Sequence, residues 1–263
     1  MKPLPPRPAS RAAAFTMVEI ALCLAIIGFA LVALIGILPA ALNVQKENRQ
    51  DTTINNDAAV WLDALRSGAK VFPVLDYERN VFALTNWTTE YDPITGNLTK
   101  PTHPRGLDAA NMNSDVVLGF LSTPRLYLKG NTLYSNHVVA YVRAFTAPVV
   151  NLPPQVNTTI LDSAFSYILT ATITPHASAS VGPTTPQATN FVNNLAANLW
   201  EVQLRLEYPL LPGGKAVRSR TYRATVSGQL QPYRLDWPAP AATGTWTADL
   251  YSFRPGTYLR PQP

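Results

Sequence analysis

An uninterrupted apolar run near the N-terminus constrains this chain more than any other feature. From Ile20 to Leu38, nineteen residues follow one another without a charge or a strongly polar group. As a helix this run is about 28 Å long at ~1.5 Å per residue, which matches the ~30 Å hydrocarbon core of a bilayer. The sequence therefore predicts a transmembrane helix over residues 15–42.

Basic residues before the run set its expected orientation. Lys2, Arg7 and Arg11 precede the apolar segment, and positive charge favours the cytoplasmic side of a membrane. We therefore expect a single pass through the membrane, with the N-terminus in the cytoplasm and the remainder of the chain translocated. A secretory signal peptide fits poorly, because its apolar core is shorter and its small-residue cleavage site follows that core. Here the alanine cluster at 12–14 comes first.

An ordinary uncleaved membrane anchor leaves Glu19 unexplained. An ionised carboxylate at membrane depth costs roughly 2.5–3.5 kcal/mol, and less near an interface, so a partner is expected. Cleavage after Ala14 would create an α-amino group on Phe15, four residues before Glu19. We expect this ammonium to pair with Glu19 of the same chain or of a neighbouring subunit, since the attraction offsets desolvation.

The stretch Ala14-Phe15-Thr16-Met17-Val18-Glu19, followed by an apolar helix, resembles the class III leader of type IV prepilins and type II secretion pseudopilins. The resemblance implies that residues 1–14 are a leader, which a prepilin peptidase cuts between Ala14 and Phe15. It further implies that Phe15 is N-methylated and that Glu19, at the fifth mature position, is needed for assembly. The segment IGFALVALIGILPAALNVQKEN also resembles the pilin-like cassette protein B family (the Verru_Chthon cassette).

The match departs from the family pattern at two places. Family leaders usually end in glycine, whereas this one ends in Ala14. Many members carry a helix-kinking proline a few positions earlier than Pro39, which lacks an N–H and is expected to weaken the helix there. The resemblance therefore does not extend to the residue before the cleavage site or to the position of the kink.

A second helical pattern follows the membrane segment. Apolar residues recur at a helical period within residues 43–72, which predicts a periplasmic amphipathic helix. The apolar stripe consists of Ile54, Ala58, Trp61, Leu62, Leu65 and Ala69. We expect the opposite, solvated face to carry Asn55, Asp57, Asp63, Arg66 and Lys70.

Residues 73–263 are predicted to form a β-rich globular head with long loops. The candidate strands lie at 81–84, 116–121, 125–129, 138–145, 165–174, 200–208 and 216–229. The clearest is 200–208, where apolar and polar residues alternate without a break. Loops are expected over most of 73–115 and over 175–190, and a Pro-rich tail over 231–263. The order of elements predicts an α+β, pilin-like fold in which a long N-terminal helix packs on an antiparallel sheet.

The sequence offers little sign of catalytic or metal chemistry. His103, His137 and His176 are scattered without metal-ligand spacing, and no catalytic fingerprint occurs. The only cysteine, Cys23, excludes an intramolecular disulfide and the Cys-based metal motifs. We therefore expect no enzymatic activity, no metal and no cofactor.

Nucleic acid is not an expected partner either. Arg218, Arg220 and Arg223 lie near Tyr222, but strand alternation puts Arg223 on the opposite face from the other two, as on a solvated strand.

The partners expected from the resemblance are prepilin peptidase, other pilin or pseudopilin subunits, and inner-membrane lipid. The leading hypothesis is a structural subunit, a minor pilin or pseudopilin, of a type IV pilus or a type II secretion-like filament. Its main alternative is a membrane-anchored periplasmic binding module that keeps its leader and never polymerises. A third possibility, an anchored periplasmic enzyme, has the weakest support because nucleophile and metal signals are sparse.

Overall fold

The computed structural model describes residues 16–68, 80–108, 114–145, 165–176, 186–211, 213–238 and 245–258. The chain divides into two units, Met1–Asp51 and Thr52–Pro263. The predicted leader, residues 1–14, and the predicted cleavage site between Ala14 and Phe15 lie outside the described residues.

Helix α1 spans Met17–Ser67 and carries the apolar run. Its side chains in the first unit are exposed, as at Phe29, which is 79% exposed. Among the described residues α1 is the helix that is long and apolar enough to cross a membrane. Pro39 lies inside it, where one backbone donor is missing. The prediction of an N-terminal helix of membrane-spanning length is therefore confirmed.

The second unit is built on an antiparallel sheet. Its strands are β1 Val81–Tyr91, β2 Leu98–Asp108, β3 Leu126–Lys129, β4 Thr132–Arg143, β5 Ser166–Pro175, β6 Leu199–Leu211 and β7 Lys215–Ser227. Their order is β2-β1-β4-β5-β6-β7, and β3 pairs with β4. Strands β8 Gln229–Pro238 and β9 Thr245–Arg254 pair with each other in a separate two-stranded sheet. A long apolar helix followed by an antiparallel sheet confirms the α+β class.

The core forms where the amphipathic part of α1 packs on one face of the sheet. The predicted stripe is confirmed at four of its six members, Ile54, Ala58, Trp61 and Leu65, each at most 1% exposed, and Leu62 is partly buried against the same core. Alternate residues of the central strands meet them in the same cluster: Val138, Ala140, Leu169, Ile173, Val202, Leu204 and Leu206. The apolar stripe of the helix, which repeats every 3.6 residues, therefore packs against the apolar face of the sheet, which repeats every two residues.

The prediction of a solvated Asp57 is wrong, since this residue is 1% exposed. It lies one position before Ala58 on the stripe, and the end of β4 packs over it through Phe145. The buried face of α1 is therefore wider than the apolar residues alone indicate.

The strand predicted at 116–121 is also wrong, because helix α2 spans Ser114–Leu121. All six residues from Val116 to Leu121 are buried, so the run shows no periodicity that would distinguish a helix from a strand. Helix α3, Pro186–Asn198, begins inside the loop expected over 175–190.

Two regions expected to be irregular contain strands. Most of the segment 81–108 forms the hairpin β1–β2, and much of the tail forms the ribbon β8–β9. Both contain prolines, which are tolerated because β2 is an edge strand and β8–β9 is a two-stranded ribbon with two edges.

Two glycines allow close approach of neighbouring elements. At the end of α1, Gly68 has a φ of +68°, and a Cβ there would overlap the carbonyl oxygen of Phe253 on β9. On α2, a Cβ at Gly119 would overlap the Tyr233 hydroxyl of β8. Glycine therefore lets the ribbon pack closely against the end of α1 and against α2.

We predict that Gly68→Ala destabilises the second unit more than Gly96→Ala. Gly96 has almost the same φ, +69°, but nothing lies within 4 Å of its Cβ position. Both variants lose about 1–2 kcal/mol because alanine disfavours positive φ. Overlap with Phe253 adds about 1–3 kcal/mol at Gly68 alone. Urea unfolding measures the difference, and equal losses would show that the close approach contributes nothing.

Candidate functional site at the start of the first helix

Thr16 and Glu19 bond reciprocally where α1 begins. The Thr16 backbone N–H donates to Glu19 Oε2 at 3.1 Å, and the Glu19 N–H donates to Thr16 Oγ1 at 3.2 Å. The Thr16 hydroxyl lies 3.1 Å from the same carboxylate oxygen. These contacts form a capping box, in which two backbone donors of the first turn are satisfied by side chains.

The capping box holds the Glu19 carboxylate in the first turn of the helix. Negative charge is favoured there, because the unpaired N–H groups give the helix start a partial positive charge. Glu19 is exposed, so the carboxylate still faces outward while one oxygen accepts from Thr16. Its position relative to the apolar residues of α1 is thereby fixed.

The structure brings one sequence-predicted residue into this site and adds another. Glu19 lies at the start of α1 as expected, and its described partner is Thr16. Pairing of Glu19 with the Phe15 amino group stays a prediction, because Phe15 is outside the described residues. The sequence already carried the signal for the cap, since Thr-x-x-Glu before an apolar run is its signature.

A shallow apolar groove runs along the exposed surface of α1. Its lining consists of Ala30, Ala33, Leu34, Ile37, Leu38 and Ala41. Three of these six residues are alanines, which leave the backbone accessible to a close neighbour. Gly28 and Gly36 also have open space around their Cβ positions.

A second polar cluster lies buried inside the head. The Trp61 indole N–H donates to the Tyr167 hydroxyl at 2.9 Å, and the Phe145 backbone N–H donates to Asp57 Oδ2 at 3.1 Å. The Trp61 and Phe145 rings lie 5.2 Å apart. Asp57 Oδ1 has no hydrogen-bond partner among the described residues. This cluster joins α1 to the end of β4 and to β5.

Burial raises the pKa of Asp57 from its ordinary 3.8 to about 6, although hydrogen bonds from Phe145 and Tyr167 oppose the shift. Burial, and then the charge of Asp57, raise the pKa of Tyr167. The Tyr167 hydroxyl therefore remains a donor while Asp57 titrates in a mildly acidic range.

The remaining candidates are dispersed over the sheet. His137 lies beside Trp87, with 5.6 Å between the rings, and burial followed by the nearby Arg125 lowers its pKa. His103 lies on β2 opposite Thr88. No group of three or more His, Cys, Asp or Glu residues able to hold a metal ion occurs in the part of the chain that the structure describes. Cys23 is exposed on α1.

Loss of the Thr16 hydroxyl should loosen the start of α1. We predict that Thr16→Val lowers helix stability there by about 1 kcal/mol, whereas Thr16→Ser keeps the cap. The readout is amide hydrogen exchange of Glu19 in the full chain in detergent, expected to be about fivefold faster in Thr16→Val. Equal exchange in the two variants would contradict the capping role.

The buried Asp57 predicts a pH-dependent stability. Because its folded pKa lies above its unfolded value, the folded protein binds the proton more tightly. The stabilisation is complete below about pH 4 and is lost as pH rises through about 6. Relative to Asp57→Asn, which does not titrate, the wild-type free energy of unfolding should fall by about 3 kcal/mol over this range. Urea unfolding followed by tryptophan fluorescence tests this, and a pH-independent difference would refute it.

Comparisons with known proteins identify no relative. No family model, no curated protein and no solved structure matches this chain. Its function is therefore inferred from its own residues and contacts.

Proposed function

We propose that the chain is a membrane-anchored structural subunit of a type IV pilus or a type II secretion-like filament, as a minor pilin or pseudopilin. The observation that carries the proposal is a membrane-length helix with exposed apolar side chains, whose first turn holds the carboxylate of Glu19. In this proposal a prepilin peptidase cuts the leader between Ala14 and Phe15, and Phe15 is then N-methylated.

The exposed apolar surface of α1 supports the proposal, because such a surface is stable only when a bilayer or neighbouring helices cover it. Side chains such as Leu22, Leu31 and Leu38 are each at least 50% exposed, which is unfavourable in water at roughly 25 cal/mol per Å² of apolar area. A bilayer covers this surface before assembly, and neighbouring helices cover it in a filament. The alanine-lined groove suits close helix contact.

The capping box is compatible with removal of the leader. The N–H of Thr16 that bonds Glu19 belongs to the Phe15–Thr16 peptide, so cleavage before Phe15 leaves it intact. The new ammonium of Phe15 would then lie one residue before the cap. One carboxylate oxygen of Glu19 would accept the hydrogen bonds from Thr16. The other would accept from the Phe15 ammonium of the same chain or of a neighbouring chain.

The first test is the N-terminal mass of the mature protein extracted from membranes. We expect a chain that begins at Phe15 and carries one methyl group. A chain that still begins at Met1 would contradict processing and would favour the non-polymerising, membrane-anchored module.

Variants of Glu19 separate capping from charge pairing. Glutamine at this position keeps a capping oxygen but removes the negative charge, whereas alanine removes both. We predict that Glu19→Gln and Glu19→Ala both enter the membrane and both fail to enter filaments, measured by co-purification with other pilin-like proteins. Assembly of Glu19→Gln at the wild-type level would refute the ion pair and leave only the cap.

A further inference from the structure

The two ends of the large sheet differ in whether another strand can join them. Strand β2 forms one end and contains Pro101 and Pro104, which cannot donate a backbone hydrogen bond. Strand β7 forms the other end, is 13 residues long and contains no proline. Of the two ends of this sheet, as far as the structure describes the chain, only the β7 end therefore offers a long, regular edge.

The backbone pattern shows which residues of β7 face outward. Gly228 N–H donates to the Asn198 carbonyl at 2.8 Å, and the register continues from Leu199 opposite Ser227. Because bonded and non-bonded pairs alternate in an antiparallel ladder, the even-numbered residues of β7 bond to β6 and the odd-numbered ones point away. The outward residues include Val217, Ser219, Thr221, Arg223 and Thr225, and all five are exposed.

These outward backbone groups are ready to pair. Among the described residues, no hydrogen bond to the outward N–H or C=O of Ser219, Thr221 or Thr225 is present. An exposed row of this kind is a template for a further strand, because an extended segment that joins it satisfies both sets of groups.

We propose that the β7 edge is a docking site for an extended, acidic segment of a partner protein, which adds to the sheet as a further strand. Main-chain hydrogen bonds supply the attachment, and side-chain charge supplies the selectivity. The proposal concerns the head alone and does not depend on filament assembly.

The charge of β7 identifies the acidic partner. The strand contains Lys215, Arg218, Arg220 and Arg223 and no acidic residue. Its inner face presents Arg220, whose guanidinium donates to Asn55 Oδ1 at 3.1 Å. Its outer face presents Arg223, which lies 3.8 Å from Glu201. The nearest cross-strand neighbours of an added strand would be basic on both faces, although Arg223 already shares its charge with Glu201 of β6, so acidic side chains fit on either face of the added strand.

The same charge argues against a second copy of the chain as the occupant. Antiparallel pairing of two β7 strands would place the basic residues of both in one ribbon, and like charges across strands are destabilising. Basic residues on an edge commonly protect it against self-association. This protection depends on the sign of the charge on the incoming strand. It disfavours pairing with another β7, which is basic, and allows pairing with an acidic strand.

The experiment uses the full-length protein in detergent and two capped peptides of about eight residues, one alternating valine with glutamate and one alternating valine with lysine. At low salt the acidic peptide should bind at least about tenfold more tightly, measured by fluorescence anisotropy. It should also slow hydrogen exchange at the amide of Thr221. Equal binding of the two peptides, or no binding of either, would overturn the proposal. The basic residues would then serve only to protect the edge against self-association.

Two substitutions test the edge itself. Thr221→Pro removes an outward N–H that β6 does not use, and Thr221→Val is the matched control that keeps it. We expect the acidic peptide to bind about tenfold more weakly to Thr221→Pro and normally to Thr221→Val. Should Thr221→Pro fail to fold, Arg223→Glu replaces it and should reduce the preference for the acidic peptide. An unchanged preference in that variant would refute the charge argument.

Discussion

The head depends on one interface, where Trp61 of α1 meets Tyr167 of β5. The indole N–H and the phenol oxygen are 2.9 Å apart, and both side chains are fully buried. Both rings contribute large apolar area, and their polar atoms satisfy each other, so the contact fixes the rotation of the helix against the sheet. Asp57 and Phe145 extend it to the end of β4. A shift of α1 would unpair several buried groups at once.

The parts of the fold that the sequence predicted are those with an unambiguous period. Strand β6 has alternating residues and α1 has a helical stripe, and both were placed correctly. The sequence predicts a strand where helix α2 forms, because an apolar run buried on all sides has no period. It predicts a loop where strand β2 forms, because His103-Pro104 and Arg105-Gly106 are turn signals, although an edge strand tolerates proline. Local sequence does not reveal which strand will lie at an edge.

The candidate site was predictable in proportion to how local its contacts are. Thr16 and Glu19 are three residues apart, so their capping box can be read from the sequence. Burial of Asp57 depends on Phe145, 88 positions along the chain, and on Tyr167. No sequence pattern around Asp57 predicts contact with either residue. A carboxylate on the flank of an apolar stripe looks solvated until the sheet that covers it is known.

The proposed membrane anchor would give the charge of the β7 edge a further consequence. Heads held at one membrane surface would meet each other far more often than free molecules do, because the membrane would set their effective concentration. An uncharged, proline-free edge of 13 residues would then favour strand pairing between copies. Four basic residues on that strand raise the free energy of such pairs without altering the ladder to β6. The proposed anchor and the proposed acidic partner are therefore mutually consistent, because the basic edge disfavours pairing between copies and leaves β7 available to an acidic strand.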